Sequence, residues 1–399
     1  MKLQLFFLII LFSASNLLAQ NNTNTNNTNT NNSEKIEIKE IKVKETKALK
    51  KESAGKMEET ISPSSVVPAL TPVSVESEKV IGTSEEMKVS KDQQSSYAAK
   101  KAKFVSKQTE YNQQRTQRTY NVSQETELQG LCQQVAAESP ASFESLLFYY
   151  ETGQYDLTRA SALLKAYEMN PLNIDVRKQM LIYNFLLNKK DETRAALIDI
   201  FNANVYPTAI QNYGVDVLKS VPQNGILITH GTEDSFGALY AERVLRKRED
   251  VTIICLDWLN SPQWRANLKA QGIKLPNADF IDVKYLEELC HLNQNRNVAL
   301  SLTIPKEYFL PMLSNLYISG LVFEYKEVPT DNSLTNEVLW RTTLEKKLIE
   351  TKDHDLVLNY IPMMAQLSRY YESQKQTSEK IEMDKEINEV AKSRGKTLK

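Results

Sequence analysis

The chain has 399 residues, enough for two or three domains, and its 49 Lys and Arg residues nearly balance 50 Asp and Glu residues. This balance gives no electrostatic case for binding nucleic acid, so we expect no nucleic-acid partner. The three cysteines, Cys132, Cys255 and Cys290, cannot all be paired within one chain, which excludes a complete disulfide framework.

The N-terminus has the pattern of a secretory signal peptide. Met1 and Lys2 precede an apolar run over residues 3–12 that is too short to span a bilayer. We expect cleavage after Ala19 or after Ser15, and the sequence leaves the choice between them open. Residues 1–19 therefore predict export to the periplasm or to a site associated with the outer membrane.

Residues 20–124 predict a disordered, low-complexity tether. They are rich in Asn, Thr, Lys, Glu, Ser and Gln, a composition that buries too little apolar surface to offset the chain entropy. Two stretches differ from the rest. Residues 36–43 alternate apolar and charged side chains, the pattern of a strand that adds to a partner's sheet, and residues 98–104 are candidates for a transient helix.

Residues 125–222 predict tetratricopeptide-like helical hairpins. The segment D-L-T-R-A that starts at Asp156 recurs as D-E-T-R-A at Asp191, 35 residues later. A period of about 34 residues, with a turn over residues 153–155 and Pro171 after the second helix, is typical of this repeat. Because two units are fewer than the roughly three that such arrays need, we expect the helices to dock onto the next domain.

Residues 223–329 predict a small, mostly parallel α/β domain, in which short apolar runs alternate with amphipathic helical stretches. The four predicted strands lie at residues 225–229, 251–257, 298–303 and 318–325. Apolar runs without alternation fit parallel strands that are covered on both faces. The expected fold class is therefore α/β, with helical hairpins before the sheet and a long disordered N-terminal segment.

The C-terminal part predicts helices and a charged tail. Residues 330–375 have helical periodicity, and residues 376–399 are charged, helical at most around Met383, Ile387 and Val390.

Two segments around the first predicted strands resemble a known family. Residues 226–240 read I-L-I-T-H-G-T-E-D-S-F-G-A-L-Y, and residues 248–260 read R-E-D-V-T-I-I-C-L-D-W-L-N. They are similar to the soluble C-terminal region of bacterial protein O-mannosyltransferase-like membrane proteins, a region of unknown function. That region has an N-G-D-N-D-T-F-P loop followed by R-P-D-V and L-L-N segments, and residues 320–325 are similar to its closing G-L-x-Y-x-L strand. The matching positions are Gly231, Asp234, Phe236, Arg248, Asp250, Val251, Leu259 and Asn260.

The resemblance spans about residues 225–329, or 140–329 with the helical repeats, and it is incomplete in the loop. His230, Thr232, Glu233 and Gly237 replace the family's Asn, Asp, Asn and Pro, and Ser replaces Thr at position 235. The chain has no counterpart of the family's membrane-embedded glycosyltransferase half. The resemblance therefore implies no transferase activity.

The 230–235 loop is the candidate ligand site, because open α/β sheets bind ligands after a strand and helix amides attract anions. Its residues are His230, Gly231, Thr232, Glu233, Asp234 and Ser235. The alternative is that Asp234 or Ser235 only caps the following helix. His, Asp and Ser lie too close in sequence for a hydrolase triad and have no G-x-S-x-G motif. We predict no catalytic residue, no metal site and no cofactor.

These features favour an exported scaffold or adaptor that binds a protein partner in the bacterial cell envelope, with an outer-membrane complex as one setting. The alternative is a small-ligand or glycan-binding domain, or a degenerate enzyme, that uses the 230–235 loop. The sequence leaves open the partner's identity and the oligomeric state. We also expect Cys255 to be a buried thiol and the tryptophans to lie in the core or at domain contacts. A disulfide between Cys132 and Cys290 stays open.

Overall fold

The computed structural model describes residues 84–113 and 116–396. The predicted signal peptide, the 36–43 strand and the first part of the predicted tether lie outside these residues. None of the helices in the described part is both long enough and apolar enough to cross a membrane.

The folded structure begins nearer the N-terminus than the predicted boundary at residue 124. Helix α1 spans Ser84–Asn112 and helix α2 spans Val122–Glu138. Phe104 of α1 is fully buried, and its ring stacks on Phe148 with 4.0 Å between the ring centroids. This long-range packing stabilises a helix whose local composition alone favours disorder.

Helical hairpins follow, as the repeat predicts, and the pairs α3–α4 and α5–α6 pack against each other. The helices are α3 (Phe143–Glu151), α4 (Ala160–Met169), α5 (Ile174–Leu186), α6 (Lys190–Asn202) and α7 (Thr208–Ser220). Side chains define their starts: Ser142 caps α3, and Asn173 accepts hydrogen bonds from two backbone amides of α5.

A five-stranded mixed sheet has the strand order β2-β1-β3-β5-β4, so the predicted α/β class is confirmed. The strands are β1 (Ile226–Thr229), β2 (Thr252–Cys255), β3 (Val298–Ser301), β4 (Leu316–Ser319) and β5 (Val322–Tyr325). Strand β1 lies between β2 and β3 and is parallel to both, with Ile226 opposite Thr252 and Val298. Strands β4 and β5 add antiparallel pairings beyond β3.

The single strand predicted within residues 318–325 is instead the hairpin of β4 and β5. Gly320, with φ of 57°, opens the two-residue connection between them. Glycine in this position suits the tight turns that match strand twist. Two short apolar strands joined by such a turn read in the sequence as one longer run.

Helices cover the sheet and complete the chain. They are α8 (Thr232–Leu239), α9 (Pro262–Ala270), α10 (Val283–Leu292), α11 (Lys306–Phe309), α12 (Ser333–Leu339), α13 (Glu345–Thr351), α14 (Ile361–Ser373) and α15 (Thr377–Ser393). In α15 the buried residues include Met383, Ile387 and Val390, the three positions that the sequence singled out. The predicted charged tail is therefore largely a packed helix.

The second helical hairpin and the sheet share one apolar core. Phe185 of α5 lies against Trp258 and Trp264, with ring centroids 5.1 Å and 4.9 Å away. The predicted docking of the repeats is confirmed by this contact, and so is the expectation that the tryptophans lie in the core. Cys255 is fully buried, and all three cysteines are free thiols.

Candidate functional site

The 230–235 loop lies at the carboxyl edge of the sheet, directly after strand β1, which is flanked by β2 and β3. From β1 the chain runs to β2 on one side and then crosses to β3 on the other. This reversal is the topological switch point at which doubly wound sheets bind ligands. The position of the loop is therefore the one expected for a ligand site.

The loop reaches helix α8 through an unusual backbone conformation at Gly231. Its φ of 105° and ψ of −176° are open to glycine and strained for other residues. No side chain caps α8, so the predicted capping by Asp234 or Ser235 does not take its usual form. Asp234 instead accepts a hydrogen bond from the His230 amide, one residue before the helix cap, at 3.0 Å.

Asp234 also joins the loop to the end of β3. One carboxylate oxygen accepts a hydrogen bond from Ser301 Oγ at 3.0 Å, and the other accepts one from Thr303 Oγ1 at 2.6 Å. Burial raises the pKa of the Asp234 carboxyl group, and the hydrogen bonds from Thr303, His230 and Ser301 partly oppose this effect. The carboxylate therefore has a structural function whether or not a ligand binds.

Ser235 is fully buried and bonded within its own loop. Its Oγ donates to the Gly231 carbonyl oxygen at 2.6 Å and lies 2.8 Å from Thr229 Oγ1. A hydroxyl in these contacts is not positioned as a nucleophile beside a base. The structure brings the candidate residues together without forming a hydrolase triad.

Glu233 and Thr232 form the half-buried outer turn of the loop. Burial raises the pKa of Glu233, and the charge of Lys178 on α5 lowers it. Burial raises the pKa of Tyr206, which follows α6, and the negative charge of Glu233 adds to this effect. The loop is thus acidic on the side that approaches the repeats.

An ion pair that the sequence did not predict lies at the same edge of the sheet. Arg118 binds Asp257 through two hydrogen bonds, one from Nε to Oδ1 and one of 2.9 Å from Nη2 to Oδ2. The two side chains are 10% and 16% exposed, so they remain in partial contact with solvent. Asp257 follows β2, whereas Arg118 comes from the short connection between α1 and α2.

His230 belongs to the same electrostatic environment. Burial tends to raise the pKa of Asp257, but the charge and hydrogen bonds of Arg118, together with the charge of His230, lower it overall. We call His230, Asp234, Asp257, Thr303 and Arg118 the carboxyl-edge cluster. It brings a guanidinium, an imidazole and two carboxyl groups together from four separate chain segments.

Two tyrosines, one partly and one fully buried, interact electrostatically with this cluster. Tyr155, in the turn between α3 and α4, has a positive φ of 67°, and burial followed by the charge of Asp257 raises its pKa. Tyr308 is fully buried, and its pKa is also raised by burial. Aromatic rings beside partly exposed polar groups are typical of sites for polar ligands. Burial likewise raises the pKa of the Cys255 thiol, which therefore stays protonated.

The sequence contains no signal that relates Arg118 to Asp257, which are 139 positions apart. Arg118 lies in the low-complexity stretch that predicts a tether. Helix packing on both sides of Arg118, together with backbone and side-chain hydrogen bonds of the connection itself, brings it to the sheet. The spacing of residues along the sequence predicts contacts within one helix or strand. It does not predict a contact between elements that are far apart in the chain.

Two residues of the family resemblance have structural functions. The Arg248 guanidinium donates to the carbonyl oxygens of Leu218, Val221 and Pro222 at 2.7–3.0 Å and pairs with Asp250. These contacts fasten the end of α7 to the start of β2. Phe236, in the α8 helix, is fully buried in the core.

Within the described residues, no group of three or more His, Cys, Asp or Glu side chains has an arrangement that holds a metal ion. His291 pairs with Glu327 at 2.6 Å, and His354 accepts a hydrogen bond from the Leu356 amide. Both histidines have local structural partners.

Residues 210–285 match the family model described as TMEM260-associated domain 2. The match runs from α7 to the start of α10 and includes the 230–235 loop and Asp257. It overlaps the region of family resemblance over residues 225–285. No curated protein and no solved structure matches the chain.

Proposed function

We propose that this chain is an exported, non-enzymatic adaptor that binds a protein partner in the bacterial cell envelope. The observation that carries the proposal is a set of exposed apolar side chains on helix α4 and in the turn that follows it. We call it the α4 patch, and it consists of Leu164, Tyr167, Met169 and Leu172. Leu172 is 81% exposed and Met169 is 53% exposed.

The α4 patch has the chemistry of a protein interface. Leu164 and Tyr167 lie one helical turn apart and therefore share a face of α4. Tyrosine and methionine are enriched at the centres of protein interfaces. The second hairpin shares its core with the sheet and packs against the first hairpin. The first hairpin, and with it the α4 patch, is therefore held in a fixed position.

Export and family relationship are parts of the same proposal. The signal-peptide pattern of residues 1–19 supports export to the periplasm or the outer membrane. The loop and strand motifs support a relationship to the soluble region of bacterial protein O-mannosyltransferase-like membrane proteins. The match of residues 210–285 supports the coarser relationship to a TMEM260-associated domain.

A binding experiment with matched variants tests the adaptor function. The full chain, the variant Leu164→Glu with Leu172→Glu, and the control Leu334→Glu with Val338→Glu are used to capture proteins from envelope extracts. The control residues are also exposed, at 64% and 56%, but they lie on α12. We expect a protein that the wild type and the control retain and the α4 variant loses. Capture of the same proteins by all three would contradict the proposal.

A second candidate function is the binding of a small polar ligand, such as a glycan, at the carboxyl-edge cluster. The observation that favours it is the convergence of Arg118, His230 and Asp257 at the switch point of the sheet. Thermal unfolding across a panel of sugars and nucleotides tests this candidate. A stabilising ligand should lose its effect in His230→Ala, whereas unchanged melting across the panel would exclude the candidate.

A further inference from the structure

A short segment of the chain crosses the carboxyl edge of the sheet. We call residues 117–120 the strap, and we call Asp257, Asn260, Ile281 and Asp282, which contact it, the groove. The strap's Gln117 forms an antiparallel bridge with Asp282, and the Arg118 amide donates to the Ile281 carbonyl oxygen at 2.6 Å. The strap therefore pairs with its groove as an added strand does in peptide recognition.

The groove also binds the side chains of the strap. Arg118 forms its bidentate ion pair with Asp257. Thr119 Oγ1 donates to Asn260 Oδ1 at 2.6 Å and accepts from the Ile281 amide at 2.9 Å. The Asn260 amide group donates to the Arg118 carbonyl oxygen at 2.8 Å. Two successive side chains and the backbone between them are thus all recognised.

We propose that this groove is an exchangeable peptide-binding site for an extended segment in which an arginine is followed by a hydroxyl residue. The strap fills the site in cis, and a segment of the same chemistry from another chain takes its place when the strap leaves. This site is distinct from the α4 patch, and the proposal does not depend on the adaptor function.

The geometry of the groove selects which residues of a peptide can bind. A bidentate pair with a carboxylate matches the planar guanidinium of arginine and not the point charge of lysine. The position after the arginine needs one group that both donates and accepts, because Thr119 Oγ1 donates to Asn260 and accepts from Ile281. A valine there would have the shape of threonine without either hydrogen bond.

The nature of the contacts makes exchange feasible. The strap residues 117–119 are half-buried and are held by hydrogen bonds and an ion pair that retains contact with water, and Tyr120 packs at the edge of a small apolar cluster that is separate from the main core. The second hairpin, in contrast, is held by the apolar core. Segments with few buried apolar contacts open at lower free energy than the core does. In the closed state, the strap competes with any external peptide at a high effective concentration.

A labelled peptide with the sequence of residues 116–121 tests the proposal against the full-length protein. Arg118→Ala weakens the strap while it leaves Asp257, Asn260 and Ile281 in place. We expect the peptide to bind Arg118→Ala at least about tenfold more tightly than wild type, because the competing strap is weakened. A peptide with Ala in place of its arginine should not bind, and adding Asp257→Asn to the protein should abolish binding.

Two protein controls separate this site from other features. Arg177→Ala removes another ion-paired arginine, whose partner is Asp199, and should bind no more peptide than wild type. Leu164→Glu with Leu172→Glu, combined with Arg118→Ala, should leave peptide binding unchanged. Equal binding by wild type and Arg118→Ala, or binding by neither, would overturn the proposal.

Hydrogen exchange of the unmodified protein gives a readout that does not rely on any variant. The Arg118 and Ile281 amides are both bonded across the groove. We expect them to exchange at least about tenfold faster than the amides of β1, because the strap opens without global unfolding. Exchange at the same rate as β1 would show that the strap is a fixed part of the core and would overturn the proposal.

Discussion

At the scale of single residues, Asp234 has the most consequential contacts in the 230–235 loop. Its carboxylate connects the His230 amide, Ser301 and Thr303, and so joins the ends of two parallel strands. Its neighbour Glu233 lies on the outer turn of the loop. Adjacent acidic residues therefore have different functions, which the residue type alone does not reveal.

Asp234→Ala should lower the free energy of unfolding by about 3 kcal/mol, because it leaves three hydrogen-bond donors without their acceptor. Glu233→Ala is the matched control and should change stability by less than about 1 kcal/mol. Urea unfolding followed by circular dichroism measures both. Equal effects of the two substitutions would contradict a structural function of Asp234.

Asp216 makes stability depend on pH. It is fully buried on α7 and accepts a hydrogen bond from Tyr360 at 2.7 Å, and burial raises its pKa from 3.8 to about 6. Because the folded-state pKa exceeds the unfolded value, this contribution is complete below about pH 4 and is lost as the pH rises through about 6. The loss amounts to about 3 kcal/mol.

Asp216→Asn should remove this contribution. The difference in unfolding free energy between wild type and the variant should therefore shift in favour of the variant between pH 4 and pH 7, by about 3 kcal/mol. Urea titrations at a series of pH values measure the shift. Parallel pH profiles of the two proteins would show that Asp216 has the same pKa in both states.

Some residues of the site could be predicted from the sequence and others could not. The candidate residues from His230 to Ser235 do lie together at the sheet edge, because a loop after a predicted strand has a known place in this fold. The partners Thr303, Asp257 and Arg118 were missed. They reach the loop through strand order and helix packing, which no local pattern encodes.

At the scale of elements, helices α7 and α8 approach each other through two glycines. A Cβ atom added to Gly214 would lie 2.1 Å from the backbone carbonyl carbon of Gly237, and one added to Gly237 would lie 2.5 Å from the Ile210 carbonyl oxygen. Neither backbone atom can move away without separating the helices. This contact places α8, and hence the 230–235 loop that precedes it, at its observed position.

Gly214→Ala should therefore destabilise the protein by about 3 kcal/mol or more, through overpacking against backbone. Gly130→Ala on α2 is the matched control, because nothing lies within 4 Å of the added atom. This control should stabilise the protein by about 0.5–1 kcal/mol through helix propensity. Thermal unfolding of the two variants gives opposite shifts on this account, and similar shifts would contradict it.

The elements themselves were largely predictable from periodicity. The apolar runs identified the first three strands, and the spacing of Met383, Ile387 and Val390 identified the buried face of α15. The β4–β5 hairpin was not predicted, and of helix α1 only residues 98–104 were predicted, as a transient helix. The tight turn at the glycine reverses the chain within a single apolar run, so the sequence does not reveal two strands. Helix α1 depends on contacts with distant residues, such as that of Phe104 with Phe148.

At the scale of the whole molecule, the second helical hairpin and the sheet are joined by one apolar core. Phe185 fills the space between Trp258 and Trp264 and so connects α5 to the α/β part of the chain. The repeats are too few to be stable alone, and this contact supplies the missing neighbour.

Phe185→Ala should lower the free energy of unfolding by about 3–5 kcal/mol, because it leaves a cavity between two buried indole rings. Leu172→Ala, at the exposed α4 patch, should change it by no more than about 0.5 kcal/mol. Circular dichroism and tryptophan fluorescence should report one shared transition in each variant. Separate transitions for helices and tryptophans would contradict the shared core.

Site-specific photocrosslinking in living cells tests whether the protein binds an envelope protein through the α4 patch. A photoreactive amino acid replaces Leu172 in one protein and the exposed Leu334 in another. We expect a light-dependent adduct with an envelope protein from position 172 and none from position 334. No adduct from position 172, or the same adducts from both positions, would contradict it.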